Sequence, residues 1–282
     1  MQRVTLVLAG EFYTHIHRRR HTPNPARSKP SVDISFAARY PDRVNLVLFT
    51  AAEISAPLPR PDPRARHLLE VLHRGPGDEF YAGVIDGPRG KGRIVAIRDA
   101  AIELAFTWTV LPTPPDAITL LIGLPRPQTA RDILRDATTL GVSAIHFVAT
   151  EKTEPSYAHS TLWRDGEWRR HVLAGTEQAF ATTTPEVTAT HSLAPALALL
   201  APDTTRLALD NYEASHALAD ERPARERSLA LALGPERGWG PRDREQLRAA
   251  GFTLVHLGTR VLRLETAVIA ALTLAKAARG TL

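Results

Sequence analysis

Two segments of this 282-residue chain each end an apolar run in a glycine-bearing turn and then open towards a helix. Residues 231–239 read Leu-Ala-Leu-Gly-Pro-Glu-Arg-Gly-Trp, and residues 257–267 read Leu-Gly-Thr-Arg-Val-Leu-Arg-Leu-Glu-Thr-Ala. Brought together at the carboxyl ends of strands in an open α/β sheet, two such turns surround one crevice with backbone N–H and C=O groups. That is where such sheets bind small ligands. The chain has neither the G-x-x-x-x-G-K-[ST] loop that cradles a triphosphate nor the G-x-G-x-x-G pattern of dinucleotide folds. The expected ligand is therefore something other than a nucleotide polyphosphate.

The rest of the chain frames those turns. Short β-rich runs at 44–50, 79–85, 93–98 and 101–111 are broken by turn signals at 75–77 and 87–92, with one short helix at 67–72. Many short strands with such turns predict a small barrel. The stretch Leu111-Pro-Thr-Pro-Pro115 is a stiff linker and the expected domain boundary. Beyond it, strands at 118–123, 144–149, 205–209, 228–233 and 252–256 alternate with helices at 129–140, 163–178, 241–250 and 265–278. Alternation of this kind predicts a mostly parallel sheet with helices on both faces.

Charge is informative only by position. Residues 1–43 carry eight lysines and arginines against three acids, and the remainder carries 27 of each sign. The net charge of +5 thus belongs to a Pro- and Arg-rich leader, expected to be poorly ordered, and bulk charge argues for no nucleic acid. With no cysteine, thiolate catalysis, disulfides and Cys-ligated zinc are excluded. No His, Asp or Glu spacing suggests a metal site, and no apolar stretch approaches the roughly 20 residues of a membrane span. The default location is cytosolic.

The motif Gly-Pro-Glu-Arg-Gly-Trp at 234–239, Ala-Gly-Phe at 250–252, and Leu-Gly-x-Arg-x-Leu-Arg-x-Glu-Thr-Ala at 257–267 resemble the RsmE-type 16S rRNA (uracil-N3) methyltransferases of the SPOUT superfamily. Upstream, the run 66–72 with Gly77-Asp78, then Thr138-Thr-Leu-Gly-Val142, Glu177-Gln178 and Pro185-Glu-Val187, fall at landmarks of the same family. The resemblance runs from Val44 to the C-terminus. It implies a PUA-like barrel at 44–112 and a trefoil-knotted α/β domain at 116–282. It further implies binding of S-adenosyl-L-methionine, an RNA substrate in the small ribosomal subunit, and a homodimer packed through the last helix. The chain departs from the family at 123–128, which lack a common Lys, at Ala181 in place of an Arg, and at Leu264 in place of a Thr.

On this reading Leu209, Leu233, Leu257 and Leu262 line an adenine pocket. Gly234, Pro235, Glu236, Gly238, Gly258, Val261 and Thr266 complete the cofactor site. Methylating uridine N3 requires loss of its proton and stabilisation of the charge that spreads over the base. A guanidinium suits that task because it stays charged and presents fixed donors. Arg263 is the first candidate and Arg260 the second, with Glu236 and Glu265 orienting them or accepting the proton. The alternatives are that Arg263 makes a structural ion pair with Glu265 or Glu236, and that Glu265 only stabilises the start of a helix. Arg60, Arg64, Arg66 and Arg74 around the short helix, with Arg89, Lys91 and Arg93 beside the 87–92 turn, are either phosphate contacts or a solvated charged surface.

Overall fold

A computed structural model describes residues 46–282, so the 1–43 leader and the expected strand start at Val44 lie outside the described residues. The chain begins with β1 (Leu46–Phe49), β2 (Leu58–Pro59), α1 (Pro63–Arg66), β3 (Glu79–Val84), β4 (Arg89–Ile97) and β5 (Ala101–Val110). They form one curled sheet in the order β1-β3-β4-β5-β2, parallel only between β1 and β3. Val47, Phe49, Leu58, Leu68, Phe80, Ile94 and Ile102 fill its concave side. After α1 the helix widens into a π turn, His67–Val71, so the expected helix at 67–72 starts four residues earlier, behind an Asp62 side chain that caps the Arg64 N–H.

The expected turn at 87–92 is shorter than its glycines suggested, because β4 already begins at Arg89. Gly90 and Gly92 are interior strand positions. A Cβ on Gly90 would overlap the Thr107 carbonyl, and one on Gly92 would enter the Phe80 ring. Side chains alternate along a strand, so Arg89, Lys91 and Arg93 share the outward face while Gly90, Gly92 and Ile94 face in.

Residues 111–115 carry no regular structure. There follow β6 (Asp116–Gly123), α2 (Pro127–Thr139), β7 (Val142–Ala149), α3 (Thr161–Arg164), α4 (Trp168–Gln178), β8 (Glu186–Ser192), α5 (Leu193–Ala198), β9 (Thr205–Leu209), β10 (His216–Ala217), β11 (Leu229–Leu233), α6 (Pro241–Ala249), β12 (Thr253–His256) and α7 (Leu264–Arg279). All seven strands run parallel, ordered β10-β12-β9-β11-β6-β7-β8. Residue size sorts by face. Leu229, Leu231 and Leu233 of β11 join the core beneath α2, α4 and α7, whereas Ala230 and Ala232 point to the other side, against Trp239 and Leu247. A strand buried on both faces reads as such a continuous apolar run.

The predicted helix at 163–178 is broken. Asp165 caps α3, the chain turns through Gly166, and α4 restarts at Trp168. The strand β8 and the short helix α5 were not anticipated. β8 is an edge strand with half-exposed Val187, Thr188 and Ala189, and it lacks the unbroken apolar run of the central strands. Among the described residues no helix is long and apolar enough to cross a membrane.

Candidate functional site

At the carboxyl ends of β9, β11 and β12, three loops enclose a crevice of about 190 Å³. The loop after β11 supplies Gly234 to Trp239, the loop after β12 supplies Leu257, Arg260, Val261 and Leu262, and residues 209–212 close the third side. Leu264 and Ala267 of α7 complete the wall. Because β9 lies between β11 and β12 in the sheet, both glycine-bearing turns emerge beside its end.

Local chemistry holds each wall. The Asp210 carboxylate accepts the backbone N–H groups of Tyr212 at 2.8 Å and Glu213 at 2.6 Å, and the Arg244 guanidinium at 2.7 Å. Both charged side chains of that pair are buried, and Arg244 also lies 5.5 Å from the centre of the Tyr212 ring. In the second wall the Gly238 N–H closes a turn on the Pro235 carbonyl at 2.7 Å, with Gly238 at φ +69°. The loop after β12 turns at Gly258, φ +104°, whose N–H donates to His256 Nδ1 at 3.1 Å. Left-handed values at these two positions disfavour any side chain with a Cβ. Gly123, at the end of β6, supports the second wall from below: a Cβ there would stand 2.5 Å from the Pro235 nitrogen.

Of the residues expected at the site, Leu209, Leu233, Gly234, Pro235, Glu236, Gly238, Leu257, Arg260, Val261 and Leu262 come together around the crevice. Gly258, Arg263, Glu265 and Thr266 do not line it. Arg263 is the exposed N-cap residue of α7, and its carbonyl accepts the Ala267 N–H. Glu265 sits in the first turn of α7, where a carboxylate complements the helix dipole. Glu236 accepts the Arg126 backbone N–H at 3.0 Å and orients neither arginine. Among the described residues, none of Arg260, Arg263, Glu236 and Glu265 enters an ion pair. Asp210, Asn211, Tyr212, Arg237, Trp239, Leu264 and Ala267 also line the crevice and had not been assigned to it. A sequence signal existed for Asp210-Asn211, a polar pair directly behind an apolar strand.

The basic candidates on the curled sheet divide. Arg64 is committed to structure: its guanidinium donates to Glu53, Asp62 and the Leu48 carbonyl at 2.6–3.0 Å. That hydrogen bonding lowers the Glu53 carboxyl to about 2 and also lowers Asp62. Arg66 and Arg93 are exposed, and Arg60 and Arg74 are half-buried. Lys91 Nζ lies 3.6 Å from the centre of the Tyr81 ring, and the Arg89 guanidinium 5.0 Å from that of Phe180.

A parallel sheet covered by helices on both faces, with a loop-walled crevice at the carboxyl ends of adjacent strands, defines a ligand-binding α/β protein of the open-sheet class. The chain belongs to the RNA methyltransferase domain family, whose model matches residues 112–276. It is 35% identical over 244 residues to Ribosomal RNA small subunit methyltransferase E of Treponema pallidum, covering 81% of this chain and 89% of that protein. It is 26% identical over 231 residues to Ribosomal RNA small subunit methyltransferase E 1 of Borreliella burgdorferi, covering 81% and 95%. The crystal structure of Ribosomal RNA small subunit methyltransferase E from Neisseria gonorrhoeae bound to S-adenosyl methionine superposes with a TM-score of 0.66 at 26% identity, covering 83% of this chain and 98% of that one.

Proposed function

We propose that this protein is an S-adenosyl-L-methionine-dependent methyltransferase that modifies N3 of a uridine in 16S rRNA of the small ribosomal subunit. One observation carries the reading: the 234–239 and 257–262 loops line the same crevice in a chain of the RNA methyltransferase family. S-adenosylmethionine, when bound, supplies an electrophilic methyl group. The crevice suits its adenosyl part, because Leu209, Leu233, Leu257 and Leu262 offer apolar surface and the glycine turns leave backbone groups approachable.

Of the two candidate arginines, Arg260 is the better placed to stabilise charge on a deprotonated uridine, since it lines the crevice where Arg263 does not, and among the described residues it enters no ion pair. Exposed Arg263, next to the crevice in sequence, serves the RNA or the same charge at longer range. Arg66, Arg89, Lys91 and Arg93 offer phosphate contacts that set register without reading sequence.

The curled sheet, within 44–112, acts as a PUA-like RNA-binding barrel, and 116–282 as the catalytic domain with the trefoil knot that the family resemblance implies. The enzyme works in the cytoplasm as a homodimer. Ile269 and Leu274 on the outer side of α7, with Val261 and Tyr212 at the crevice rim, are large apolar side chains left exposed in one chain, and a second copy would cover them. Sedimentation at micromolar concentration should return a dimer.

Calorimetry with S-adenosylmethionine tests the cofactor, and mass-spectrometric nucleoside analysis of rRNA from a deletion strain tests the target. Loss of 3-methyluridine is expected. A lost methyl group elsewhere would favour a different RNA target, the reading that Ala181 and the 123–128 segment suggest by their departures from the family.

A further inference from the structure

We propose that Glu151 and Lys152, in the turn after β7, are positioning residues that set the shape of the crevice wall formed by residues 234–239. Neither touches the crevice. This inference rests on the cofactor reading above.

The turn itself is rigidly built: Thr150 N–H donates to Thr153 Oγ1 at 3.0 Å, and the two threonine hydroxyls pair at 2.9 Å. From it, Glu151 Oε2 accepts the Arg242 N–H at 2.7 Å, one of the orphan donors at the start of α6. Asp243 answers in the reverse direction, accepting the Glu151 N–H at 3.3 Å and the Gly240 N–H at 2.8 Å. The two carboxylates thus staple the end of the wall to the end of β7. Gly240 shows how tightly they close: a Cβ there would overlap Glu151 Oε2 and stand 2.7 Å from Glu151 Cβ. Lys152 grips the middle of the wall, its Nζ donating to the Arg237 carbonyl at 3.2 Å.

A plain helix cap would act on α6 alone. Among the described residues Lys152 makes no hydrogen bond or ion pair to α6, so its bond to the Arg237 carbonyl separates wall from helix. The Glu151 ion pair to Arg242, 3.7 Å with the arginine 83% exposed, is too solvated to matter. The acceptor oxygen is therefore the essential group, and its charge is dispensable.

The test measures S-adenosylmethionine affinity by calorimetry on the full chain, with melting temperature in parallel. Lys152→Met should weaken binding about threefold at unchanged melting temperature, and Glu151→Ala about tenfold, a change of about 1.4 kcal/mol. Glu151→Gln, which keeps the acceptor, should stay within about twofold of wild type. Gly240→Ala should reproduce Glu151→Ala, and the double variant should be no worse than either, since one staple can be broken only once. Unchanged affinity in Lys152→Met, or Glu151→Gln as weak as Glu151→Ala, overturns the proposal. If wild type itself gives no heat with the cofactor, the functional reading fails instead.

Discussion

The indole Nε1 of Trp239 donates to the Leu209 carbonyl at 3.0 Å, bridging the end of β9 and the loop that follows β11. Trp239 is fully buried on the Ala230–Ala232 side of the sheet, so one residue packs the core and fixes the distance between two crevice walls. Trp239→Phe keeps most of the packing and orphans a carbonyl. It should lower unfolding free energy by about 1–3 kcal/mol and weaken cofactor binding, read by urea denaturation and calorimetry. Unaltered affinity would mean the bridge is structural only.

Gly123→Ala should act at a distance of one strand. Its methyl group would press on Pro235 and push the 234–238 loop upward. The expected result is a loss of cofactor affinity of about tenfold or more, the 1.4 kcal/mol scale of a modest overpacking strain. Circular dichroism checks that the sheet stays folded.

The two arginines should separate kinetically. Arg260→Ala is expected to lower kcat by about 10²–10³-fold, the scale of losing one charge-stabilising donor, with cofactor affinity within a few-fold. Arg263→Ala, off the wall, should cost far less in kcat and show its effect mainly in KM for RNA. Equal losses of kcat in both would return Arg263 to the reacting base.

Stability should depend on pH through two opposite carboxyls. Glu53 is depressed from 4.5 to about 2 by hydrogen bonding from Arg64, so its contribution is present above about pH 4.5 and drains as pH falls towards 2. Glu177, whose carboxyl accepts the Leu48 N–H at 3.4 Å, is raised by burial. Its contribution is full below its ordinary value and is lost as pH rises through the raised one. Glu53→Gln should therefore lower the melting temperature at about pH 7, by an amount that shrinks as pH falls towards 2, while Glu177→Gln should raise it at about pH 7 and match wild type at about pH 4.

Asp210→Ala takes the nearer of two carboxylates from a buried guanidinium, leaving Arg244 only Glu213 at 3.6 Å, and frees two loop N–H groups. The loss should reach about 2–4 kcal/mol, short of the full cost of an uncompensated buried charge because Glu213 remains. Denaturant unfolding measures it; a cost below about 1 kcal/mol would mean that Glu213 or water compensates Arg244 fully.

Much of the frame was legible in advance. The strand at 205–209 is observed at its predicted limits, and α6 starts at Pro241, whose missing N–H is harmless at the first helical position. The two glycine turns meet as expected, because an apolar strand followed by a glycine turn specifies where the turn emerges. What escaped were features without a period of their own. The glycines of β4 resemble turn residues until Phe80 and Thr107 are set against them. Arg64 resembles a surface cation until Glu53 and Asp62 enclose it. Edge strand β8 is too exposed to show a clean apolar run.

The chain alone determined the alternation of strands and helices, the two crevice-lining turns and the family, because local period and turn chemistry act between near neighbours. Tertiary structure decided that Arg237 and Arg260 line the crevice while Arg263 does not, and which carboxylates brace it. Those outcomes depend on contacts such as Arg242 with Glu151, 91 positions apart, and Glu236 with Arg126, 110 apart. No local pattern encodes such pairs, since only the folded sheet brings the ends of β6, β7 and β11 to one edge.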